Sequence, residues 1–213
     1  MTAPVSPIEW QVMAAVSAVL VVLTATGLWP MSWVEVAGFA TAATCVWLMA
    51  RGHRWTWPFG IVSNLAYGAL FFEARLYADM ALQGLFIALS VYGWRVWAGS
   101  GTAQPPPVRR ASRDEWLALL ILVPAATVAI REILLRVNGA APLLDALTTS
   151  LSLAAQYLAS RRRLENWLLW IAADLIYIPL YFSRSLPLTA FLYVGFLVMC
   201  VIGWRQWRQE QVS

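Results

Sequence analysis

The chain has no lysine, a single histidine and two cysteines, and only 12% of its 213 residues are charged. A soluble domain carries roughly a quarter charged residues, so this chain lacks the polar surface to cover itself in water. What stands in place of charge is apolar: 61% of residues are hydrophobic and the mean hydropathy is +0.65. The class this implies is an integral membrane protein. The net charge of +4 comes from arginine alone. Those arginines flank apolar runs and form no basic amphipathic stripe, so no nucleic-acid partner is expected. Cys45 and Cys200 both lie inside apolar runs and form neither a CxxC pair nor a secreted disulfide framework, which reads as two buried thiols. Also missing are a GxxxxGK[ST] loop, a GxSxG elbow and an HExxH pair. Primary active transport by this chain alone is therefore not expected, no enzymatic constellation is visible, and no cofactor or metal is implied.

Apolar runs cut by turn residues and charges place helices near 8–29, 33–50, 55–72, 77–97, 115–136, 142–160, 165–182 and 186–207. A spanning helix needs about 20 apolar residues, so eight fit this length with short connections. The first run has no basic leader and no convincing cleavage site, and reads as a retained helix. Trp29-Pro30 ends it, and Pro105-Pro106-Pro107 reads as a solvated linker. Pro124 and Pro179 fall inside predicted helices, where kinks are expected. With eight spans, eleven arginines share one face: 51, 54, 95, 109, 110, 113, 161, 162, 163, 205 and 208. The other face has Arg75, Arg131, Arg136 and Arg184. The positive-inside bias then puts both termini in the cytoplasm. Trp55, Trp57, Trp94, Trp97, Trp116, Trp204 and Trp207 cluster near the arginine-rich face, where an aromatic belt explains most of them. His53, in the same arginine-rich turn, reads as a topology or headgroup residue.

Shifted by 110 residues, the sequence matches itself without a gap: segment 54–97 overlays 164–207 with 14 identities in 44 positions. Trp57 meets Trp167, Tyr67 meets Tyr177, and Gly93-Trp94-Arg95 meets Gly203-Trp204-Arg205. A period of four helices makes the copies parallel, related by a pseudo-two-fold axis along the membrane normal. Parallel repeats are a transporter architecture with substrate held near the midplane between the halves. The expected organisation is an extra N-terminal helix (1–29), a first three-helix bundle (30–98), a cytoplasmic linker (99–113), a connecting helix (114–138) and a second three-helix bundle (139–208). A four-plus-four description fits almost as well.

The residues that can carry chemistry lie on the segment after Arg163. Trp167, Trp170, Asp174, Tyr177 and Tyr181 fall within an arc of about 80° at helical spacing. Asp174 sits about 12 Å deep in its span. A charge there costs at least ~2.5–3.5 kcal/mol, so the side chain should face the bundle interior or a water-filled cavity. A protonated or helix-bonded structural aspartate is the alternative. The first copy presents Trp57, Gly60, Asn64, Tyr67 and Phe71 on the equivalent face. Gly60, standing where the second copy has Trp170, leaves a slot for a flat ligand. Gln83, whose mate is Tyr193, adds a hydrogen-bonding group. Asn64 and Gln83 suit sugar hydroxyls or amides, and structural glue between helices is the alternative. Glu35 and Asp145 read as caps of helix N-termini. Together these groups suit a flat, electron-poor ring with a positive charge and several hydroxyls, since indole faces attract a cationic ring. Gly84, Gly93, Pro179 and Gly203 are candidate pivots, though helix packing explains them equally well.

The segments Trp57-Pro-Phe-Gly, Leu76-Tyr-Ala-Asp79-Met-Ala-Leu-Gln83, Tyr92-Gly-Trp-Arg-Val-Trp97 and Trp167-x-x-Trp170-x-x-x-Asp174 resemble the PnuC family of vitamin transporters over roughly 30–207. The resemblance implies a three-plus-one-plus-three, all-α membrane fold similar to the sugar-transporting SWEET proteins, assembled as a homotrimer in a bacterial inner membrane. It implies uptake of nicotinamide riboside by facilitated diffusion, with cytoplasmic phosphorylation trapping the vitamin. Trp167, Trp170 and Asp174 occupy the motif positions of the nicotinamide riboside type. The expected substrate site is Trp167, Trp170, Asp174, Asn64, Gln83, Tyr177, Trp57 and Tyr193. Relatives carry thiamin or riboflavin, so those substrates stay open, as does a substrate-sensing membrane receptor. An intramembrane enzyme is the remaining rival, and Asp174 has no obvious acidic partner for one.

Overall fold

A computed structural model describes residues 32–73, 75, 77–99, 105–137, 141–183 and 187–212, with scattered positions between 11 and 27. The expected helix at 8–29 lies mostly outside the described residues. Seven helices follow: α1 Trp33–Ala50, α2 Thr56–Glu73, α3 Tyr77–Ala98, α4 Arg113–Arg136, α5 Pro142–Ser160, α6 Asn166–Ser183 and α7 Pro187–Val212. Among the described residues there is no strand, and the class is all-α.

Local chemistry sets the helix ends. Ser32 and Glu35 form a reciprocal capping box at α1, the Glu35 carboxylate accepting from Ser32 N at 2.6 Å. Ser112 and Glu115 repeat it at α4. Each box satisfies two backbone N–H groups that the first turn leaves open. At α5, Pro142 occupies the first turn and the N-cap Ala141 makes no side-chain bond. Glu35 therefore caps as expected. Asp145 is not the N-cap, but it stands in the first turn of α5, where a negative charge suits the helix N-terminus. Pro124 and Pro179 are accommodated inside α4 and α6.

The chain divides into two compact units, Met1–Pro105 and Pro106–Ser213. In the first, α2 packs against both α1 and α3. In the second, α6 packs against both α5 and α7, and α4 lies on α5. By length and hydropathy α1 and α4 can each cross a membrane. On α4 Leu120, Ile121 and Leu122 are 67%, 68% and 62% exposed, an apolar surface on successive sides of one helix. Such a helix belongs in lipid or against another apolar surface.

Both units are held by the same contact. Trp57 is 0% exposed and stands edge-on to Trp97, with ring centroids 5.3 Å apart. Trp167 is 1% exposed and meets Trp207 at 5.3 Å in the same edge-on manner. Each first indole lies against a glycine: a Cβ at Gly93 would come within 2.5 Å of the Trp57 ring, and one at Gly203 within 2.5 Å of Trp167. These glycines let α3 and α7 approach the rings, so packing explains Gly93 and Gly203 without a pivot role. The aromatic-belt reading accordingly fails for Trp57, Trp97 and Trp207, whose rings are interior. It suits Trp55, exposed and edge-on to Trp94 at 6.1 Å.

The proline-rich linker also differs from expectation. From Pro106 onward it is docked on the second unit. Arg109 N donates to Arg162 O, Leu164 N donates to Arg109 O, and Ala111 N donates to the Glu165 carboxylate. Arg162, only 1% exposed, gives its guanidinium to the Pro106 carbonyl and to Glu210 on α7 at 2.9 Å, over the Trp207 ring. Arg163 and Arg161 reach Glu115 at 3.0 and 3.4 Å. A buried guanidinium such as that of Arg162 needs acceptors, because an unpaired buried charge is costly. Arg162 holds a positive φ of 54°, as Gly52 does in the first unit at 64°.

Gly93→Ala and Gly203→Ala are each expected to destabilise the protein by about 1–3 kcal/mol through overpacking. Gly84→Ala and Gly195→Ala, where a Cβ meets nothing within 4 Å, should leave the melting temperature unchanged or raise it. Thermal melting of the detergent-solubilised protein checks this, and an equal response from all four would contradict it.

Candidate functional site

In the second unit, α6 carries the buried Asp174 carboxylate, and α6 and α7 carry most of the aromatic residues. Asp174 is 4% exposed, and the thiol of Cys200 on α7 donates to its Oδ2 at 3.6 Å. One turn further along α6 stands Tyr177, and on α5 the buried Thr148 donates to the Leu144 carbonyl at 2.9 Å. Three tyrosine rings gather together. Tyr177 lies 4.7 Å from Tyr193 and 5.7 Å from Tyr181, and Tyr181 stacks on Tyr193 at 5.1 Å and 27°. Phe196 closes the edge at 5.8 Å from Tyr193. Offset stacking of this kind is worth about 0.5–1.5 kcal/mol per pair beyond area burial, and it fixes the rings relative to one another. The result is a preformed aromatic wall with a carboxylate on the same helix. Trp170 stands half-buried one turn before Asp174.

This chemistry favours a cation. A carboxylate out of water needs a partner, and aromatic faces supply the negative side of their quadrupole to positive charge. Among the described residues no group of three or more His, Cys, Asp or Glu could hold a metal ion.

In the first unit, Asn64 on α2 and Gln83 on α3 are both half-buried, and Tyr67 stacks on Phe71 at 6.3 Å. Gln83 faces Gly68, where an added Cβ would lie 3.7 Å from its own. The slot expected at Gly60 is filled: a Cβ there would meet Cys45 Sγ at 3.2 Å and Ser90 Oγ at 3.5 Å. That face of the glycine admits α1 and α3.

Of the sequence-derived candidates, the structure brings Asp174, Tyr177 and Tyr193 together, with Trp170 on the same helix. Trp57 and Trp167 are placed in the helix-packing contacts described above, and among the described residues their indole N–H groups have no hydrogen-bond partner. Sequence reasoning read Cys200 only as a buried thiol and did not connect it with Asp174. A signal for Cys200 existed: it follows Asp174 at the spacing by which Ser90 follows Asn64. At His53, in the turn before α2, burial first and Arg54 second hold the imidazole below its ordinary value. Its Nδ1 accepts from Trp55 N at 3.4 Å.

A family model described as nicotinamide mononucleotide transporter matches residues 32–209. The chain is 25% identical over 210 residues to the nicotinamide riboside transporter PnuC of Escherichia coli strain K12, covering 85% of this chain and 87% of that protein. It is 28% identical over 192 residues to the nicotinamide riboside transporter PnuC of Neisseria mucosa, covering 84% and 73%. It is also 28% identical over 182 residues to the riboflavin/roseoflavin transporter RibM of Streptomyces davaonensis, covering 82% and 84%. The crystal structure of the vitamin B3 transporter PnuC matches the fold with a TM-score of 0.74 at 24% identity, over 97% of this chain and 92% of that one.

Trp167→Ala is expected to destabilise the protein by about 3–5 kcal/mol, the cost of emptying a buried indole site. Trp170→Ala, at a half-buried position, should cost much less. Comparing the two melting temperatures tests the division between scaffold and site, and a reversed order would contradict it.

Proposed function

Because the chain belongs to the nicotinamide mononucleotide transporter family, we propose that it carries nicotinamide riboside into the bacterial cytoplasm by facilitated diffusion. The family is one of membrane transporters, so the chain is a transporter and not an enzyme. The observation that carries the choice of substrate is Asp174, a buried carboxylate on an aromatic helix face. Nicotinamide riboside offers a flat cationic ring and ribose hydroxyls. The mononucleotide adds a phosphate that Asp174 would repel, and riboflavin has no cation for Asp174 to pair with. Trp170 stacks on the ring, Asp174 pairs with the charge or a hydroxyl, and Tyr177 and Tyr193 line the wall. Asn64 and Gln83 supply hydrogen bonds to hydroxyl or amide groups from the first half.

The architecture that goes with this reading is eight spans, with two parallel three-helix bundles, a connecting helix and an additional N-terminal helix. The 110-residue offset supports the repeat: in each unit a buried tryptophan, a glycine and a second tryptophan meet at matching positions. The excess of arginine on one side places both termini in the cytoplasm. A homotrimer in the inner membrane and trapping of the product by cytoplasmic phosphorylation complete the proposal.

Parallel titration of the purified protein with nicotinamide riboside, its mononucleotide, thiamin and riboflavin tests the assignment. Binding of nicotinamide riboside alone is expected, with affinity lowered about tenfold or more in Trp170→Ala and Asp174→Ala, the loss of about 1.4 kcal/mol or more. Preference for thiamin, also cationic, would move the protein to another substrate on the same site. Unchanged affinity in both variants would remove the site.

A further inference from the structure

The Asp174 carboxylate is fixed in place by one group that the proposed site does not use. We propose that Cys200 is a positioning residue: its thiol holds Asp174 Oδ2, so that Oδ1 is the acceptor turned to the substrate. This rests on the reading of Asp174 as the substrate's counter-charge. Geometry supports it in two ways. The Cys200 sulfur lies 3.6 Å from Asp174 Oδ2, and both residues are 4% exposed, so water does not compete for the contact. An aspartate carboxylate turns broadly about its last bond, and one held oxygen fixes the direction of the other.

The first half has a hydroxyl where the second has the thiol. The 110-residue offset pairs Asp174 with Asn64 and Cys200 with Ser90. Ser90 is wholly buried on α3 beside the α2 backbone at Gly60. Both halves thus put a small hydrogen-bond donor at this position, on the helix that packs against the polar residue's own. A thiol is the weaker donor of the two. Against a carboxylate, weak donation orients the group while leaving most of its charge for a cationic ligand. Cys45 shows that a thiol in this protein need not serve a site residue: its sulfur contacts Thr56 Oγ1 at 3.4 Å, at the start of α2.

The test titrates nicotinamide riboside into Cys200→Ala and Cys200→Ser, each in the native and the Asp174→Asn background, with melting temperatures recorded for all. Cys200→Ala should weaken binding about fivefold in the native background, within the coupling range of contacting residues. Cys200→Ser, which keeps a donor and is the residue at the matching first-half position, should restore affinity to about twofold of native. In the Asp174→Asn background Cys200→Ala should add almost nothing. Should the alanine variant fail to fold, Cys200→Val, closer in volume and without a donor, makes the same comparison. Equal losses in both backgrounds would overturn the proposal, as would a serine variant no better than alanine. Loss at Asp174 with none at Cys200 would overturn this proposal alone. No loss at Asp174 would overturn it together with the site reading.

Discussion

An ionisable carboxylate in a chain this apolar has to be given its surroundings by the protein. Water cannot supply them at membrane depth, and leaving the charge uncompensated costs several kcal/mol. Asp174 is that group, and much of the second unit is arranged around it. A thiol touches one oxygen, and tyrosines from α6 and α7 pack against one another alongside. What this assembly still lacks is a counter-charge of its own among the described residues. On the proposed reading a cationic substrate would supply one for as long as it is bound.

The scaffold that keeps this arrangement in register is unusually explicit. In each unit a fully buried indole is seated on a glycine of the last helix and braced by a second tryptophan. Aromatic bulk against a bare backbone is a rigid contact, because interiors are close-packed and cannot absorb even one methyl group without shifting. In the second unit the buried Arg162 adds a polar tie that joins the segment from Pro106, the turn before α6 and the end of α7. The second unit is also the one with the buried Asp174 carboxylate and the tyrosine wall. The first presents an amide, a phenyl ring and a glutamine at the matching positions. Unequal chemistry on equal frames is what a polar, one-ended ligand requires.

Helix positions were legible because arginine, proline and glycine punctuate the apolar runs: 33–50 and 142–160 match α1 and α5 as observed, and other ends differ by one or two residues up to the longer α7. Asp174 with its aromatic face was legible for the same reason, since one carboxylate in an apolar helix has few alternative explanations. Trp57 and Trp167 were not. A tryptophan that stacks on a ligand and one seated on a distant glycine look alike at helical spacing, and only the contact with Gly93 or Gly203 separates them. Three prolines read as open linker because composition reports the missing N–H groups and not the partners beyond. Arg162 read as a topology charge because an arginine run carries that signal whether or not one member turns inward. Gly60 read as empty space because the sequence does not show which side chain of a neighbouring helix fills it.

The central claim is that a chain built this way moves a cationic vitamin down its gradient with no other protein. The direct measurement is uptake of labelled nicotinamide riboside into liposomes that contain only this protein, without nucleotide or ion gradients. The account predicts saturable entry that stops when inside and outside concentrations are equal, and that is lost in Asp174→Ala. Binding without flux would make the protein a receptor, and accumulation above the outside concentration under an imposed proton gradient would make it a coupled pump; either would contradict the account.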